Sequence, residues 1–556
     1  MRAFRVGEWL VQPERNTITR SHTVRHLEPR VMDLLVFLAE HQGEVLSGDR
    51  ILRNVWPHTY VSDGALQTAV SALRKAVDDD ARRPTMIETI RKRGYRLLVE
   101  STASRPLVAV LPFQDLSQDE ETYLTDGLTD TLISALGRNT AIRVISRHSV
   151  MAFRDSRLPL AEIAEHLGVS YVVEGAVRRD ASEIGVAVKV IDAAVDEYVW
   201  TRDESVSLDG IFELQQRLAG EITTCMVGPS GGFDAEPIPE VTPDAVEDYL
   251  RGRFHWNKFA PDHFPRALAC FESAVSRSPD FAAAHAGIAD VWGALGYWGM
   301  LPASDVRAPL RASLARAGAF RTTSAEWNVL AGAASFHFDH DWPGALGFLE
   351  QAIDLNPSLA HARVLMSLIL GTLGDDRALE EADRGRRLDP LAPPVLLARA
   401  LCLSRVGRYA DVATEIGRMR EIEPEFPPAI ELDADLAWVV GAADAMEKEQ
   451  RVWRHHDELA ALLRGHGEVG ARMSRAARRL AAVSRETYVS PRVVARLLSL
   501  AGHVDEAIDV LHQALDDEDL MQIDFLQMNP AFQAVRRHRR YPELAGRIGL
   551  PAATPV

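Results

Sequence analysis

The sequence predicts a multidomain protein: an α+β unit at the N-terminus, a small α/β domain, and a long all-α solenoid of helical repeats. Three observations predict it. Charge is unevenly divided along the chain. Strand-like runs alternate with helical spacing over roughly the first 230 residues, and from Thr242 on a repeat of 33 or 34 residues replaces strand patterns. With 556 residues, 47% hydrophobic and 25% charged, the chain has length for about three to five domains. Its composition excludes wholesale disorder.

The formal charge of −17 hides an asymmetry: residues 1–98 hold 16 Lys/Arg against 12 Asp/Glu, and the remainder 46 against 67. An acidic protein does not adhere to nucleic acid nonspecifically, but a basic module on an acidic body can bind it locally. Cys225, Cys270 and Cys402 are too far apart for a disulfide framework or a CxxC metal site, and read as small core residues in a reducing compartment. The longest charge-free run, Val291–Ser304, has 14 residues broken by glycines and a proline, too short to span a bilayer. The opening MRAFRVGEWLVQPER has no apolar signal-peptide core. A cytoplasmic protein without a membrane partner is the expectation.

In the first unit, FRVGEWLV and NTITRS are β-prone runs forming a small sheet. LEPRVMDLLVFLAEHQG then has Pro29 at a first helical turn, apolar residues at 31, 34, 35 and 38, and Gly43 as a stop. Ser47 caps a second helix that runs to about Val55 and ends at Trp56-Pro57. A third helix starts near Ser62-Asp63 and ends in the acid cluster Asp78–Asp80. TMIETI, RKRG and YRLLV close the unit as a hairpin with a basic tip.

Residues 106–227 read as a second domain of order β-α-β-α-β-β-β-α, from the strand VAVLPF to a helix over about Leu208–Met226. Residues 228–243, GPSGGFDAEPIPEVTP, are the linker. Over 244–550 an apolar residue recurs at offsets 0, +4 and +7, with proline at +12: Ala267, Phe271, Ala274, Pro279; Ala345, Leu349, Ala352, Pro357; Ala378, Ala382, Gly385, Pro390; Val412, Ile416, Met419, Pro424. Ala308, Ala312, Ala315 fit as a degenerate copy and Ala507, Leu511, Ala514 as a late one, while the repeat count between 437 and 495 stays open. Small residues let paired helices approach, and the proline ends the second helix. The pattern resembles tetratricopeptide repeats.

The third helix carries the sharpest functional signal. Leu66, Val70, Leu73 and Val77 form one apolar stripe, and Gln67, Thr68, Ser71, Arg74 and Lys75 occupy the opposite face. Amides and hydroxyls hydrogen-bond base edges, Arg and Lys pair with guanine or phosphate, and a short helix of this kind fits a major groove. The hairpin tip Arg91-Lys92-Arg93-Gly94 can enter a minor groove or grip phosphates. Either feature alone also reads as solvated surface; both together, on the one net-basic domain, point to DNA.

At these residues a resemblance becomes specific. Leu27-Glu28-Pro29, Val45-Leu46-Ser47, Val55-Trp56-Pro57, Val61-Ser62-Asp63, Leu73-Arg74-Lys75 and Gly94-Tyr95-Arg96 resemble, in order and spacing, the OmpR/PhoB-type winged helix-turn-helix over residues 4–98. The resemblance implies Gln67, Thr68, Ser71, Arg74 and Lys75 on the recognition helix, Thr89 on a phosphate, Arg91 in the wing, and Trp56 in a loop that touches RNA polymerase. Gly64 and Ala65 replace the usual Arg-Thr, so base preference does not transfer. Many relatives place a receiver domain before the winged helix, which here stands first; membrane-spanning relatives carry an apolar span after it, and residues 99–110 hold none. The domain order is similar to HilA-type invasion-gene activators, with Tyr249–Gly252 shared before the first repeat. The middle domain resembles the FlgO/TolB type, a likeness that carries no activity.

No constellation points to an enzyme, a cofactor or a metal. Gly228–Gly232 lacks the GK[ST] of a phosphate loop. His337, Asp339, His340 and Asp341 sketch a metal site but sit at a repeat turn, and Glu162, Glu165 and His166 read as a solvated helix face. The resulting expectation is a one-component bacterial transcription regulator, in the sense of an activator. It would bind double-stranded promoter DNA, present its array to a protein or peptide, and dimerise or use tandem sites for affinity. The alternative is a helical-repeat scaffold or signalling protein whose winged helix and middle domain bind protein or a small ligand.

Overall fold

The computed structural model describes residues 4–20, 23–56, 63–91, 93–99, 105–117, 122–180, 183–193, 195–228, 240–258, 260–321, 324–466, 468–484 and 488–550. Most of the expected linker, residues 229–239, lies outside them, as do Pro57, Val61, Ser62 and Lys92. The chain forms two compact units: residues 1–107 with 141–143 and 220–234, and residues 108–140, 144–219 and 235–556.

The first unit opens with β1 (Phe4–Val6), β2 (Trp9–Gln12), β3 (Thr17–Arg20) and β4 (Thr23–His26), an antiparallel sheet in sequence order. Its alternation buries Val6, Trp9, Val11 and Ile18. α1 (Pro29–Glu40) starts on proline, whose missing N–H is no loss in a first turn, and buries Val31, Leu34, Leu35 and Leu38. α2 (Gly48–Val55) is capped by Ser47, whose Oγ accepts the Arg50 N–H at 3.2 Å. α3 (Asp63–Val77) seats Leu66, Val70, Leu73 and Val77 in the same core. The hairpin β5 (Ile87–Ile90) and β6 (Gly94–Leu97) completes it.

The α/β part begins with β7 (Leu107–Val110), β8 (Gln114–Asp115), α4 (Thr122–Gly137), β9 (Arg143–Val144), α5 (Arg147–Met151) and α6 (Leu160–Leu167). The strands β10 (Tyr171–Asp180), β11 (Glu183–Asp192) and β12 (Glu197–Ser207) and the helix α7 (Ile211–Val227) follow. The sheet order is β12-β11-β10-β7-β9, with β7 parallel to β10 and β10–β12 an antiparallel meander; β8 also pairs with β10. The expected order gains β8 and α5, two and five residues long, too short to carry a period.

Every described element beyond Thr242 is helical. The helices pair as α8 (Pro243–Lys258) with α9 (Phe264–Arg277), α10 (Ala282–Tyr297) with α11 (Ala303–Arg321), α12 (Ala325–Ala334) with α13 (Trp342–Leu355), and α14 (Ala360–Leu373) with α15 (Ala378–Leu388). The pairing continues as α16 (Pro393–Arg405) with α17 (Tyr409–Ile422), α18 (Pro427–Val439) with α19 (Ala445–Val452), α20 (Asp457–Arg464) with α21 (Val469–Val483), and α22 (Pro491–Leu500) with α23 (Val504–Asp516). The short α24 (Ile523–Met528), α25 (Gln533–Arg536) and α26 (Tyr541–Ile548) follow. Pro279, Pro357, Pro390 and Pro424 each lie two residues past their helix, where a ring that cannot continue the helix starts the next pair. The late copy, Ala507, Leu511 and Ala514, is buried on α23. The degenerate copy is out of register: Ala308, Ala312 and Ala315 are exposed, and α11 instead buries Ala303, Val306, Leu310, Leu314 and Ala317. Alanine matches a pattern of small residues without being driven inward.

The α/β part is joined to the array rather than strung before it. Arg253 on α8 pairs with the buried Asp130 of α4 at 2.6 Å, the Val144 N–H reaches Ser358 Oγ at 3.1 Å, and the Ser149 hydroxyl donates to Asp389 at 2.5 Å. Such pairs persist away from water only where each charge keeps its partner.

Candidate nucleic-acid interface

α3 positions the candidate residues by simple periodicity. With its apolar stripe inward, Gln67, Thr68, Ser71 and Lys75 are exposed along one face, and the Thr68 hydroxyl donates to the Gly64 carbonyl at 2.8 Å. Beside that face lies a cavity of about 390 Å³ lined by Gln67, Ser71, Arg74 and Lys75 together with Asp79 and Tyr95. The helix and the hairpin thus share one concave surface. Arg91 and Arg93 are exposed at the hairpin tip; Lys92 is outside the described residues. Among the described residues no ion pair engages Lys75, Arg91 or Arg93.

Arg74 differs from the expectation of a guanidinium offered to solvent. Its side chain is 13% exposed. Nη2 donates to the Ile87 carbonyl at 2.7 Å and to Thr89 Oγ1 at 2.8 Å, and Nε stands 3.7 Å from Asp79 Oδ2. Two candidates placed separately by the sequence, Arg74 and Thr89, are therefore bonded to each other. Trp56 is half-buried, packed on the edge of the winged-helix core.

Gly94 and Tyr95, which the sequence marks only as motif residues, and Asp79, marked only as part of the acid cluster ending the third helix, build the junction. Asp79 is buried just past α3 and accepts the Thr85, Met86 and Ile87 N–H groups at 2.7, 3.0 and 3.0 Å, plus the Thr85 hydroxyl at 3.0 Å. Burial pushes its carboxyl up, but those donors outweigh it and hold it below the usual carboxylate range. Gly94 opens β6 with φ +133° and lies so close to the α1–α2 loop that a Cβ would sit 1.8 Å from the Leu46 carbonyl oxygen. Tyr95 pairs with Leu46 through N–H···O bonds of 2.8 and 2.9 Å. On the far side, Asp78 receives Arg25, whose hydrogen bond holds the carboxyl low, and Arg20, and both guanidinium groups lie over the Trp9 ring.

The other polar clusters have structural duties. His337 packs against Tyr297 with ring centroids 4.4 Å apart and planes tilted by 49°, and burial pushes its imidazole down to about 3. Asp339 pairs with Arg311, and Asp341 caps α13 through the Gly344 N–H at 3.1 Å. Among the described residues no His, Cys, Asp and Glu grouping is arranged to hold a metal ion. No described helix is long and apolar enough to cross a membrane. Cys402 is buried, whereas Cys225 and Cys270 are only partly so.

A four-stranded sheet, three helices and a hairpin, with the third helix amphipathic and exposed, define a winged helix-turn-helix DNA-binding domain. Residues 22–97 match the family described as transcriptional regulatory protein, C terminal, and residues 104–221 match the HilA/YgeH-like transcriptional regulator, second domain. Helical pairs of tetratricopeptide-like pattern follow these two matched segments. The chain is similar to the transcriptional activator CadC of Escherichia coli, 49% identical over 96 residues, which are 17% of this chain and 19% of CadC. It is also similar to the transcriptional regulator HilA of Salmonella typhimurium, 25% identical over 292 residues, 50% of this chain and 51% of HilA. The chain spans about half the length of HilA and a fifth of CadC. The solved DNA-binding domain of E. coli CadC is 46% identical and covers 18% of this chain and 95% of that one, with a TM-score of 0.17.

Proposed function

We propose that the chain is a sequence-specific DNA-binding transcriptional regulator of one-component type, acting in the cytoplasm as an activator. One observation carries the reading: the exposed Gln67, Ser71 and Lys75 of α3 and the wing residue Tyr95 flank one concave surface on the net-basic unit. Gln67 and Ser71 would read base edges in the major groove. Lys75, Arg91, Lys92 and Arg93 would supply the salt-dependent grip on phosphates. Thr89 accepts from Arg74 through its oxygen and keeps its own proton to give to a phosphate. Arg74 acts by holding wing to helix. The loop at Trp56 would meet RNA polymerase, and the acidic array a protein partner. One winged helix covers modest area, so a homodimer or tandem sites would complete the affinity.

Capture of genomic DNA by the intact protein tests the reading. A reproducible sequence upstream of a limited set of genes, whose transcription falls when the protein is removed, is the expected result. Absence of any enriched sequence overturns it.

A further inference from the structure

The sequence leaves the inner face of the array open for a partner, but in the structure the chain covers it. After α23 the backbone turns at Glu518 and Gln522, both left-handed with φ +54° and +57°, and lays the following residues across the first helices of the pairs. α24 packs on α14 and α16, and the 3₁₀ turn Pro530–Phe532 packs on α18 and α22. The burial pattern records this. α15 buries a single stripe of five residues, whereas α14 buries all of Ala362–Thr372, both faces at once. The second face of α14 is covered by the tail.

The contacts are specific rather than merely apolar. The Tyr297 hydroxyl of α10 donates to Asp524 Oδ2 at 2.9 Å. Arg492 of α22 bonds Gln522 and lies over the Phe525 ring with Cζ 4.9 Å from its centroid. Asn529 Nδ2 donates to Asp435 Oδ2 of α18 at 2.8 Å, and the Ser499 hydroxyl to the Ala531 carbonyl at 2.7 Å. Gly371 of α14 makes room for Met528: a Cβ there would stand 2.3 Å from its Sδ. Four helices thus address one short segment with an anchor pocket, an aromatic–guanidinium stack and side-chain bonds to both backbone and side chains. This is how a groove recognises a helical peptide. Two left-handed residues at its start are held by surroundings that over-determine them, as expected where a segment is fitted to a groove.

We propose that residues 519–532 are a tethered ligand. The inner face of the array is a recognition groove for a short helical segment of the pattern Asp-Phe-Leu-x-Met-Asn, and this chain fills it with its own copy at Asp524–Asn529. A partner for that face must carry comparable chemistry and displace the tail. The inference stands apart from the DNA-binding reading, whose failure leaves it untouched.

Hydrogen exchange on the intact protein tests it, with Tyr297→Phe as a variant that removes one hydroxyl and leaves the ring. In the wild type, residues 519–532 should exchange as a unit ahead of α14 and α16, and in Tyr297→Phe by a further ~10-fold with those helices unchanged. A labelled peptide of residues 518–536 supplies the second readout. It should bind the full-length Asn529→Ala chain at least ~10-fold more tightly than the wild type, because an occupied groove lowers apparent affinity by the fraction open. Exchange of the segment in step with α14 and α16 in both proteins would make it ordinary core and overturn the proposal. Equal peptide binding by the two chains would overturn it as well.

Discussion

Arg74 Nη2 stands 2.8 Å from Thr89 Oγ1, while its Nε faces Asp79 at 3.7 Å. This junction ties the end of α3 to the first strand of the wing through a guanidinium that helix periodicity alone assigns to solvent. It fixes the distance between the two elements that the proposed function brings to DNA together, so truncation should act on both at once.

Arg74→Ala is expected to destabilise the winged-helix unit by about 1–3 kcal/mol, since Asp79 loses its cationic neighbour and the Ile87 carbonyl and Thr89 lose a donor. DNA affinity should fall by a similar factor on all sequences. Binding to a panel of single-base site variants checks this: relaxed discrimination at one position would make Arg74 a base contact instead.

Gly94→Ala is expected to cost ~3 kcal/mol or more, because the added Cβ meets the Leu46 carbonyl and the backbone is in a glycine region. Thermal unfolding read through the first unit should show the loss, and unchanged stability would mean that the wing base relaxes freely.

Lys75→Ala and Arg91→Ala should each weaken DNA binding on every sequence and reduce the slope of log affinity against log salt by about 1. A variant with an unaltered slope identifies a side chain that does not reach a phosphate.

His41 gives the unit a pH dependence. Its Nδ1 donates to the Phe37 carbonyl at 2.7 Å and its Nε2 accepts from Arg105 at 3.1 Å, so the ring is held neutral; burial first, and Arg105 second, push it down to about 3. The unfolded chain takes up this proton near pH 6.5 and the folded chain does not. Stability is therefore full above that pH and falls by ~1.4 kcal/mol per pH unit as pH drops from about 6 toward 3. Glu40, whose carboxyl burial holds above its ordinary value, works in the opposite direction at the lower end. Protection of α1 amides in wild type and His41→Gln between pH 7 and 5 isolates the histidine; parallel curves would contradict it.

Much of this was legible from residue order. The stripe Leu66, Val70, Leu73, Val77 placed α3, and Pro29, Ser47 and the four repeat prolines marked helix ends, because caps and periods are local. What escaped was non-local. Nothing near Arg74 announces that Thr89 will take its guanidinium, and Asp79, one of three adjacent acids, looked like a helix end rather than the organiser of the wing. The α11 register failed because alanines satisfy a small-residue pattern on either face. The tail over the array failed because α24 has six residues, fewer than two turns, and its meaning lies in the helices it covers.

Base reading by α3 is tested most directly by selection from random duplex DNA with the intact wild type and with Gln67→Ala/Ser71→Ala. The wild type should select a reproducible sequence. In the double variant, discrimination at one or two base positions should fall by roughly 10-fold or more, the ~1–3 kcal/mol of a lost base contact, with nonspecific binding unchanged. Selection of no sequence, or of the same sequence with undiminished discrimination by both proteins, would contradict base reading by α3.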